Sequence, residues 1–185
     1  MNETLKTIRT RFSCRDFKSD MPSSEDLNAI VNAAVESPSG LNLQNWRIIV
    51  ITNKELIDDF EKEAMNILKD MEDKSTYERI MSRGGKVYYN APCMIIVTID
   101  ATYKLSQIDC GIVCENIALA ATSLGLGNVI CGMAEIPLTG ERGEEFKNML
   151  KFEKGHEFGM GVLLGYAKNE GKPHKLDTSK ISFIE

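Results

Sequence analysis

The sequence is poor in the residues and motifs that mark several common protein classes. It has two histidines, His156 and His174, and no C-x-x-C motif, which argues against a zinc site. No apolar run reaches the roughly 18 uncharged residues that a membrane-spanning helix needs. Neither G-x-G-x-x-G nor a GKS or GKT motif occurs, which excludes the usual Rossmann and P-loop nucleotide sites. Lys and Arg total 22 against 27 Asp and Glu, so the overall charge does not favour nucleic-acid binding.

Cysteine usage and composition place the chain in an ordinary globular class. Five cysteines form no paired pattern, and the polar start of the chain lacks the apolar stretch of a secretory signal. We therefore expect free thiols and a cytoplasmic location. With 185 residues, 43% hydrophobic and 26% charged, the chain is predicted to form one domain over residues 1–185.

The spacing of apolar residues predicts interleaved helices and strands. Ser23 is a predicted helix cap, with Asp26 at the capping-box distance. The predicted helices cover 2–11, the segment from Ser23 to the turn at 37–40, 56–73, 107–126 and 143–150. The predicted strands cover 46–52, 93–99, 128–133, 158–166 and, at the C-terminus, 181–184. Residues 75–90 are predicted to be a loop or a broken helix. The fold class is α+β, with a sheet between helices.

The helix predicted over 107–126 is apolar on nearly every side. Such a helix is buried on every side. In a chain this small, its own sheet cannot cover the whole surface. We therefore expect the helix to pack against a second copy of the chain.

Three guanidinium groups, from Arg9, Arg11 and Arg15, lie within seven residues around Ser13, an unusual density for an acidic protein. Alternate residues of an extended chain share one face, so Arg11, Ser13 and Arg15 could converge on one anion. A solvated basic surface explains the same pattern. Cys14, between two arginines, is a minor candidate for a thiol with a lowered pKa.

Three further segments are candidate ligand sites. Residues 38–46 (PSGLNLQNW) place Ser, Asn and Gln side chains before a strand, as in ligand loops and also in simple capped turns. Gly132, after the third strand, allows a ligand to approach the backbone, although a glycine turn explains it equally. Lys168, Lys172, His174 and Lys175 could close on a phosphate or could form a surface tail.

Taken in order, these segments resemble the nitroreductase family of FMN-dependent oxidoreductases. Residues 11–17 (RFSCRDF) resemble the family's R-x-S-x-R-x-F, and residues 34–46 resemble A-x-x-A-P-S-x-x-N-x-Q-P-W. Further matches are Ala91-Pro92, Asp109-x-Gly111, Gly125-Leu126-Gly127 and Gly165-Tyr166. The resemblance covers nearly the whole chain and implies a homodimer with FMN at the subunit interface and a long buried central helix.

The resemblance also implies roles for individual residues. Arg11, Ser13 and Arg15 would hold the phosphate, ribityl chain and carbonyl edge of FMN. The loop at 38–44 would come from the second subunit and line the ring, and the backbone amides of Gly132 and Met133 would face flavin N5 and O4. His174 and Lys175 would contact the phosphate. The full set of implied cofactor-binding residues is Arg11, Phe12, Ser13, Arg15, Pro38, Ser39, Gly40, Asn42, Gln44, Cys131, Gly132, Met133, His174 and Lys175.

The sequence departs from the family pattern at several positions. Ser37 and Asn45 replace the usual alanine and proline of the second motif, and Met133 replaces the second glycine of the usual pair after the third strand. His174 stands where arginine is common, so phosphate affinity would be more sensitive to pH. Lys86 is a possible ring contact but aligns poorly.

The implied reaction is ping-pong hydride transfer from NADH or NADPH, through FMN, to nitroaromatics, quinones or similar small acceptors. The cofactor carries this chemistry, so no side-chain acid or base is expected. Arg15 is the candidate for stabilising the anionic reduced flavin. Two alternatives remain open, namely a flavin-binding protein without turnover and another FMN enzyme of the same fold, for example one catalysing reductive dehalogenation. An α+β interaction domain without flavin is the remaining interpretation.

Overall fold

The computed structural model describes residues 1–172 and 175–184. Six α-helices alternate with the strands over this part of the chain. They are α1 (Glu3–Thr10), α2 (Ser24–Val35), α3 (Lys54–Asp70), α4 (Ser75–Met81), α5 (Ser106–Ser123) and α6 (Gly143–Met149). Short 3-10 helices cover Gly40–Asn42, Gly132–Leu138 and Thr178–Lys180.

Four strands form one sheet, β1 (Trp46–Ile51), β2 (Cys93–Asp100), β3 (Gly127–Cys131) and β4 (His156–Gly165). Their order is β1-β2-β4-β3, and all three ladders are antiparallel. A parallel component comes from the isolated bridge between Ser13 and Asn128, which adds the N-terminal segment to the β3 edge.

The sheet separates two apolar layers. Alternate residues of β2 face opposite sides, so Met94 and Ile96 pack towards α3 while Ile95 and Val97 pack towards α5. Helices α3 and α6 cover the first face, and α2 and α5 cover the second. The predicted α+β fold with helices on both sides of the sheet is confirmed.

Local signals in the sequence explain several element boundaries. The Ser23 hydroxyl accepts a hydrogen bond from the Asp26 N–H (3.0 Å), which caps α2, and donates to the Asp26 carboxylate (2.8 Å). The segment predicted as a loop or broken helix contains the short helix α4, followed by a turn at Gly84 and Gly85, both with positive φ.

The predicted C-terminal strand at 181–184 is wrong. Among the described residues, 181–184 form no strand, and the side chains of Ile181, Phe183 and Ile184 are exposed. The apolar composition of this segment suggested a strand, but residues 181–184 pair with none of the four strands.

Candidate functional site

The N-terminal segment at 11–18 runs extended along one end of the sheet, as predicted. The Cys14 N–H donates to the Asn128 carbonyl (2.8 Å), and the Lys18 N–H donates to the Tyr166 carbonyl (2.8 Å). In return, the Lys168 N–H donates to the Asp16 carbonyl (3.1 Å). The segment is therefore fixed by backbone bonds to β3 and to the residues after β4, which leaves its alternate side chains available to a ligand.

A cavity of about 500 Å³ lies between this segment and residues 169–172. This size is within the range of small-molecule sites. Its lining consists of Arg11, Phe12, Ser13, Cys14, Arg15, Asp16, Asn169, Glu170, Gly171 and Lys172. The structure thus brings together the first predicted group of cofactor residues and adds Lys172 from the basic tail.

The charges around this cavity favour an anion. Arg11, Arg15 and Lys172 supply three cations against the carboxylates of Asp16 and Glu170, and the half-buried Ser13 supplies a hydroxyl. The Asp16 carboxylate is engaged by Lys168 Nζ at 3.0 Å, so its charge is largely offset. Guanidinium and hydroxyl donors in an open cleft are a donor set that suits a phosphate group.

Cys14 does not have the lowered pKa considered from its arginine neighbours. Burial raises the pKa of its thiol, against a smaller lowering from a backbone hydrogen bond with Asp16. The side chain is 2% exposed and packs in the core rather than facing solvent. Cys14 is therefore a structural residue on the floor of the cavity.

The second predicted group, Pro38 to Gln44, forms a separate loop before β1. Ser39 and Gly40 are half-buried, and Pro38, Asn42 and Gln44 are exposed. Leu41, Asn42 and Gln44 all have positive φ, a backbone conformation that L-residues seldom adopt. These residues are not among the described lining of the 500 Å³ cavity.

Buried contacts from α5 hold this loop in place. The Gly40 N–H donates to both carboxylate oxygens of Asp109, at 3.1 and 3.2 Å, and Asp109 is itself buried. The Asn116 amide donates to the Ser37 hydroxyl at 2.9 Å. The serine that replaces the usual alanine of the family motif therefore has a structural role. A Cβ at Gly40 would lie 2.4 Å from the Tyr103 hydroxyl and 2.9 Å from Leu105 Cδ1, so a larger residue would have to displace these side chains.

The third predicted group lies at the end of β3. Cys131 is buried, and its pKa is raised to about 11 by burial, partly offset by the backbone N–H groups of Met133 and Ala134, which lower it. The Met133 amide therefore points back towards Cys131, whereas Gly132 is exposed. A Cβ at Gly132 would meet only Met160 Sδ, at 3.9 Å, so packing does not require glycine there.

Of the predicted basic pair His174 and Lys175, the structure describes only Lys175. Lys175 is exposed to solvent, and His174 lies outside the described residues.

Beside the same cavity lie two arginines that the sequence prediction missed, together with Lys86, which it named as a possible ring contact. A second cavity of about 140 Å³ shares Arg15 with the first and is also lined by Arg79, Arg83 and Lys86. Met133 reaches its wall, which links it to the third predicted group. The available signal was the i, i+4 spacing of two arginines before a double glycine, within a segment that was interpreted only as polar.

The α+β fold carries a cleft lined by cationic side chains beside one end of its sheet, and comparison with known proteins identifies the family. Residues 8–166 match the model of the nitroreductase family, and the chain belongs to that family. Within the described part of the chain, no helix is both long and apolar enough to cross a lipid bilayer.

Individual relatives are similar over the full length. A nitroreductase from Desulfitobacterium hafniense DCB-2, whose crystal structure contains bound FMN, is 53% identical with a TM-score of 0.97, and the match covers 100% of both chains. An FMN-bound nitroreductase from Bacteroides fragilis is 27% identical with a TM-score of 0.91, again over 100% of both chains. A relative from Archaeoglobus fulgidus, provisionally named as an NADH dehydrogenase or NAD(P)H nitroreductase, is 31% identical over 96% of this chain and 92% of its own.

Proposed function

We propose that the protein is an FMN-dependent oxidoreductase that takes electrons from NADH or NADPH and passes them to small oxidised acceptors such as nitroaromatics or quinones. The observation that carries the proposal is the 500 Å³ cleft with Arg11, Ser13 and Arg15 on its wall, in a chain that belongs to the nitroreductase family. The FMN-bound relative that matches over its whole length supports the choice of cofactor.

The donor set of the cleft fits FMN. Arg11, Ser13 and Lys172 would hold the phosphate and the ribityl chain, and Arg15 would hold the carbonyl edge of the ring. The exposed backbone of Gly132 would lie against the ring, because the fold leaves open space where a Cβ would project. When bound, FMN supplies the redox chemistry, and the chain supplies binding, orientation and charge. Donor and acceptor would occupy the same position in turn, with no side-chain acid or base.

A second copy of the chain would complete the site. Ile108 and Gly111 are exposed on α5, although the helix is apolar all round. Glycine inside a helix costs about 1 kcal/mol relative to alanine, and nothing lies within 4 Å of a Cβ at Gly111. A neighbouring helix that packs closely against Gly111 accounts for both features. The loop at 38–44, held rigidly by Asp109, would then reach the cleft of the other subunit.

The oligomer has a direct test. Ile108→Glu places a charge on a side chain that is 61% exposed in the single chain, so a monomer would tolerate it. We expect sedimentation velocity to show a dimer for the wild type and a monomer for Ile108→Glu. Met149→Glu, at a 51% exposed position on α6 across the sheet, is the matched control and should stay dimeric. A wild-type monomer that binds FMN fully would contradict the proposed assembly.

The cofactor assignment is tested by comparing FMN with riboflavin, which lacks the phosphate. Arg11→Ala should weaken FMN binding by about tenfold or more, since a charge-assisted bond to phosphate is lost, and should leave riboflavin binding nearly unchanged. Flavin fluorescence titration measures both dissociation constants. Arg9→Ala, in the exposed last turn of α1, is the control. Equal weakening of both ligands would contradict the assignment of Arg11 to the phosphate.

Two broader features belong to the same proposal. We propose a single domain over residues 1–185 and a cytoplasmic location. The five free, buried thiols support a reducing compartment.

A further inference from the structure

Much of the wall of the 140 Å³ cavity beside Arg15 comes from one segment, residues 79–86, at the end of α4 and in the turn that follows it. Helix α4 is anchored by the buried Ile80, which lies between Arg79 and Arg83. The Gly85 N–H then donates to the Ile80 carbonyl (3.0 Å), with φ of +94° at Gly84 and +70° at Gly85. Only glycine adopts these values readily. The turn reverses the chain and returns Lys86 to the cavity that the two arginines line.

A buried carboxylate fixes the third cation of this turn. Glu61 on α3 is 8% exposed, and Lys86 Nζ donates to its Oε2 at 3.0 Å. Its Oε1 accepts the Tyr88 N–H, also at 3.0 Å. Glu61 therefore positions Lys86 and the chain that follows it. The cation stays at the cavity wall instead of extending into solvent.

The four cations around this cavity carry more positive charge than the single carboxylate of Glu61 offsets. Arg15, Arg79, Arg83 and Lys86 face one small cavity, and Glu61 pairs with Lys86 alone. Across residues 1–172 and 175–184, no carboxylate lies within ion-pair distance of the guanidinium groups of Arg15, Arg79 and Arg83. Cations gathered around one cavity repel one another. These cations lie together although the net charge of the protein is −5. Their arrangement points to an anion as their binding partner.

The cavity is too small for a whole ligand. Its volume of about 140 Å³ is well below the roughly 300 Å³ at which small-molecule pockets begin, but it is large enough for a phosphate or carboxylate group. It adjoins the cleft through Arg15, and Tyr89 and Met133 give it an apolar wall. A group held here would belong to a molecule whose remainder lies over the predicted flavin ring.

We propose that Arg79, Arg83 and Lys86 form an anion-binding subsite for the redox substrate, and that the enzyme prefers substrates carrying a phosphate or carboxylate. The inference rests on the proposed FMN-dependent function. Arg79 and Arg83 supply planar, bidentate donors, and Lys86 supplies a positioned point charge. The anion comes either from a phosphate of the nicotinamide dinucleotide or from a carboxylate on the acceptor.

The test uses FMN-loaded, oxidised protein without any reductant, so that no turnover occurs. Flavin difference spectra give dissociation constants for two pairs of probes, NADP⁺ against NAD⁺ and 4-nitrobenzoate against nitrobenzene. The variant is Arg79→Gln/Arg83→Gln, and the matched control is Arg9→Gln on the exposed face of α1. Oxidised-flavin absorbance first establishes FMN loading for every variant.

We expect the double substitution to weaken the binding of an anionic probe by about tenfold at low salt and to leave the binding of nitrobenzene unchanged. Weaker binding of NADP⁺ alone identifies the 2′-phosphate as the bound anion. Equally weakened binding of NADP⁺ and NAD⁺ identifies the pyrophosphate. Weakening of 4-nitrobenzoate alone identifies an acceptor carboxylate. Each of these results supports the subsite.

Three results would overturn the inference. If no anionic probe weakens beyond the Arg9→Gln control, the cations do not form a substrate subsite. If the double variant loses FMN itself, they belong to the cofactor site. If wild-type protein takes up no FMN, the proposed function fails and the inference fails with it, and this result is visible before any probe is added.

Discussion

The backbone of Gly171 lies directly against the ring of Phe12. A Cβ at position 171 would sit 1.9 Å from Phe12 Cγ, so no other residue fits there without moving the ring or the chain. This contact joins the C-terminal segment to the N-terminal motif across the 500 Å³ cleft that both of them line. The width of the proposed FMN site therefore depends on a glycine that the sequence motifs did not identify.

Gly171→Ala should displace the C-terminal segment and weaken FMN binding by about tenfold, because Lys172 moves with it. Flavin fluorescence titration measures the effect. Phe12→Ala alone also weakens binding through lost packing. The double variant should be no weaker than Phe12→Ala, because removing the ring relieves the clash. Additive losses in the double variant would show that the contact with Phe12 is not the cause.

Gly132→Ala should separate cofactor binding from folding. The only neighbour of the added Cβ is Met160 Sδ at 3.9 Å, so the free energy of unfolding should change by less than about 1 kcal/mol. FMN binding should weaken by about tenfold, because the methyl group projects towards the ring. Gly161→Ala is the opposite control, since its Cβ would lie 2.6 Å from Ala134 Cβ and should destabilise the fold. Unchanged FMN affinity in Gly132→Ala would remove this residue from the site.

Asp109→Ala should release the loop at 38–44. The buried carboxylate accepts the Gly40 N–H, and a lost buried partner costs about 1–3 kcal/mol. Urea unfolding measures this loss, and FMN affinity should fall in parallel if the loop completes the site. Asp109→Asn keeps an acceptor oxygen and should retain most of both properties. A stable Asp109→Ala protein with normal FMN binding would contradict the role given to the loop.

The buried thiols predict a loss of stability in alkaline solution. Burial raises the pKa of Cys93 from 9.0 to about 12. Below pH 9 the thiol is protonated in both folded and unfolded chains, and the stabilisation is complete. Between pH 9 and 12 only the unfolded chain ionises at this residue, so the unfolding free energy should fall by up to roughly 1.4 kcal/mol per pH unit.

Urea unfolding of wild type and Cys93→Ala between pH 8 and 11 isolates this contribution from other titrating groups. The difference in unfolding free energy between the two proteins should shrink as the pH rises. A difference that stays constant would mean that Cys93 does not titrate in the unfolded chain as assumed.

The sequence predicted the sheet and the long helices well because their apolar spacing is regular. The second strand is apolar on both faces, and Ser23 begins α2 as expected. The strand predicted at 181–184 failed because composition cannot supply a pairing partner. Similarly, Leu5 and Ile8 of α1 have helical spacing but remain 53% and 49% exposed in the single chain.

The site was predictable where one short segment carries it. Arg11, Ser13 and Arg15 line one cavity, as the extended segment predicted, and the intervening Phe12 and Cys14 line it as well. Arg79 and Arg83 escaped prediction because the packing of α4, whose Ile80 is buried, brings them beside Arg15 from far along the chain. Such a meeting depends on tertiary packing, which local patterns do not encode.

The most direct test of the proposed function is the visible spectrum of the FMN-loaded protein under anaerobic conditions, before and after addition of NADH or NADPH. We predict flavin bands that bleach on addition and return when a nitroaromatic or quinone acceptor is added. Bands that persist after both nicotinamides would contradict an NAD(P)H-linked oxidoreductase. Failure to take up FMN at all would contradict the assignment of the Arg11–Arg15 cleft.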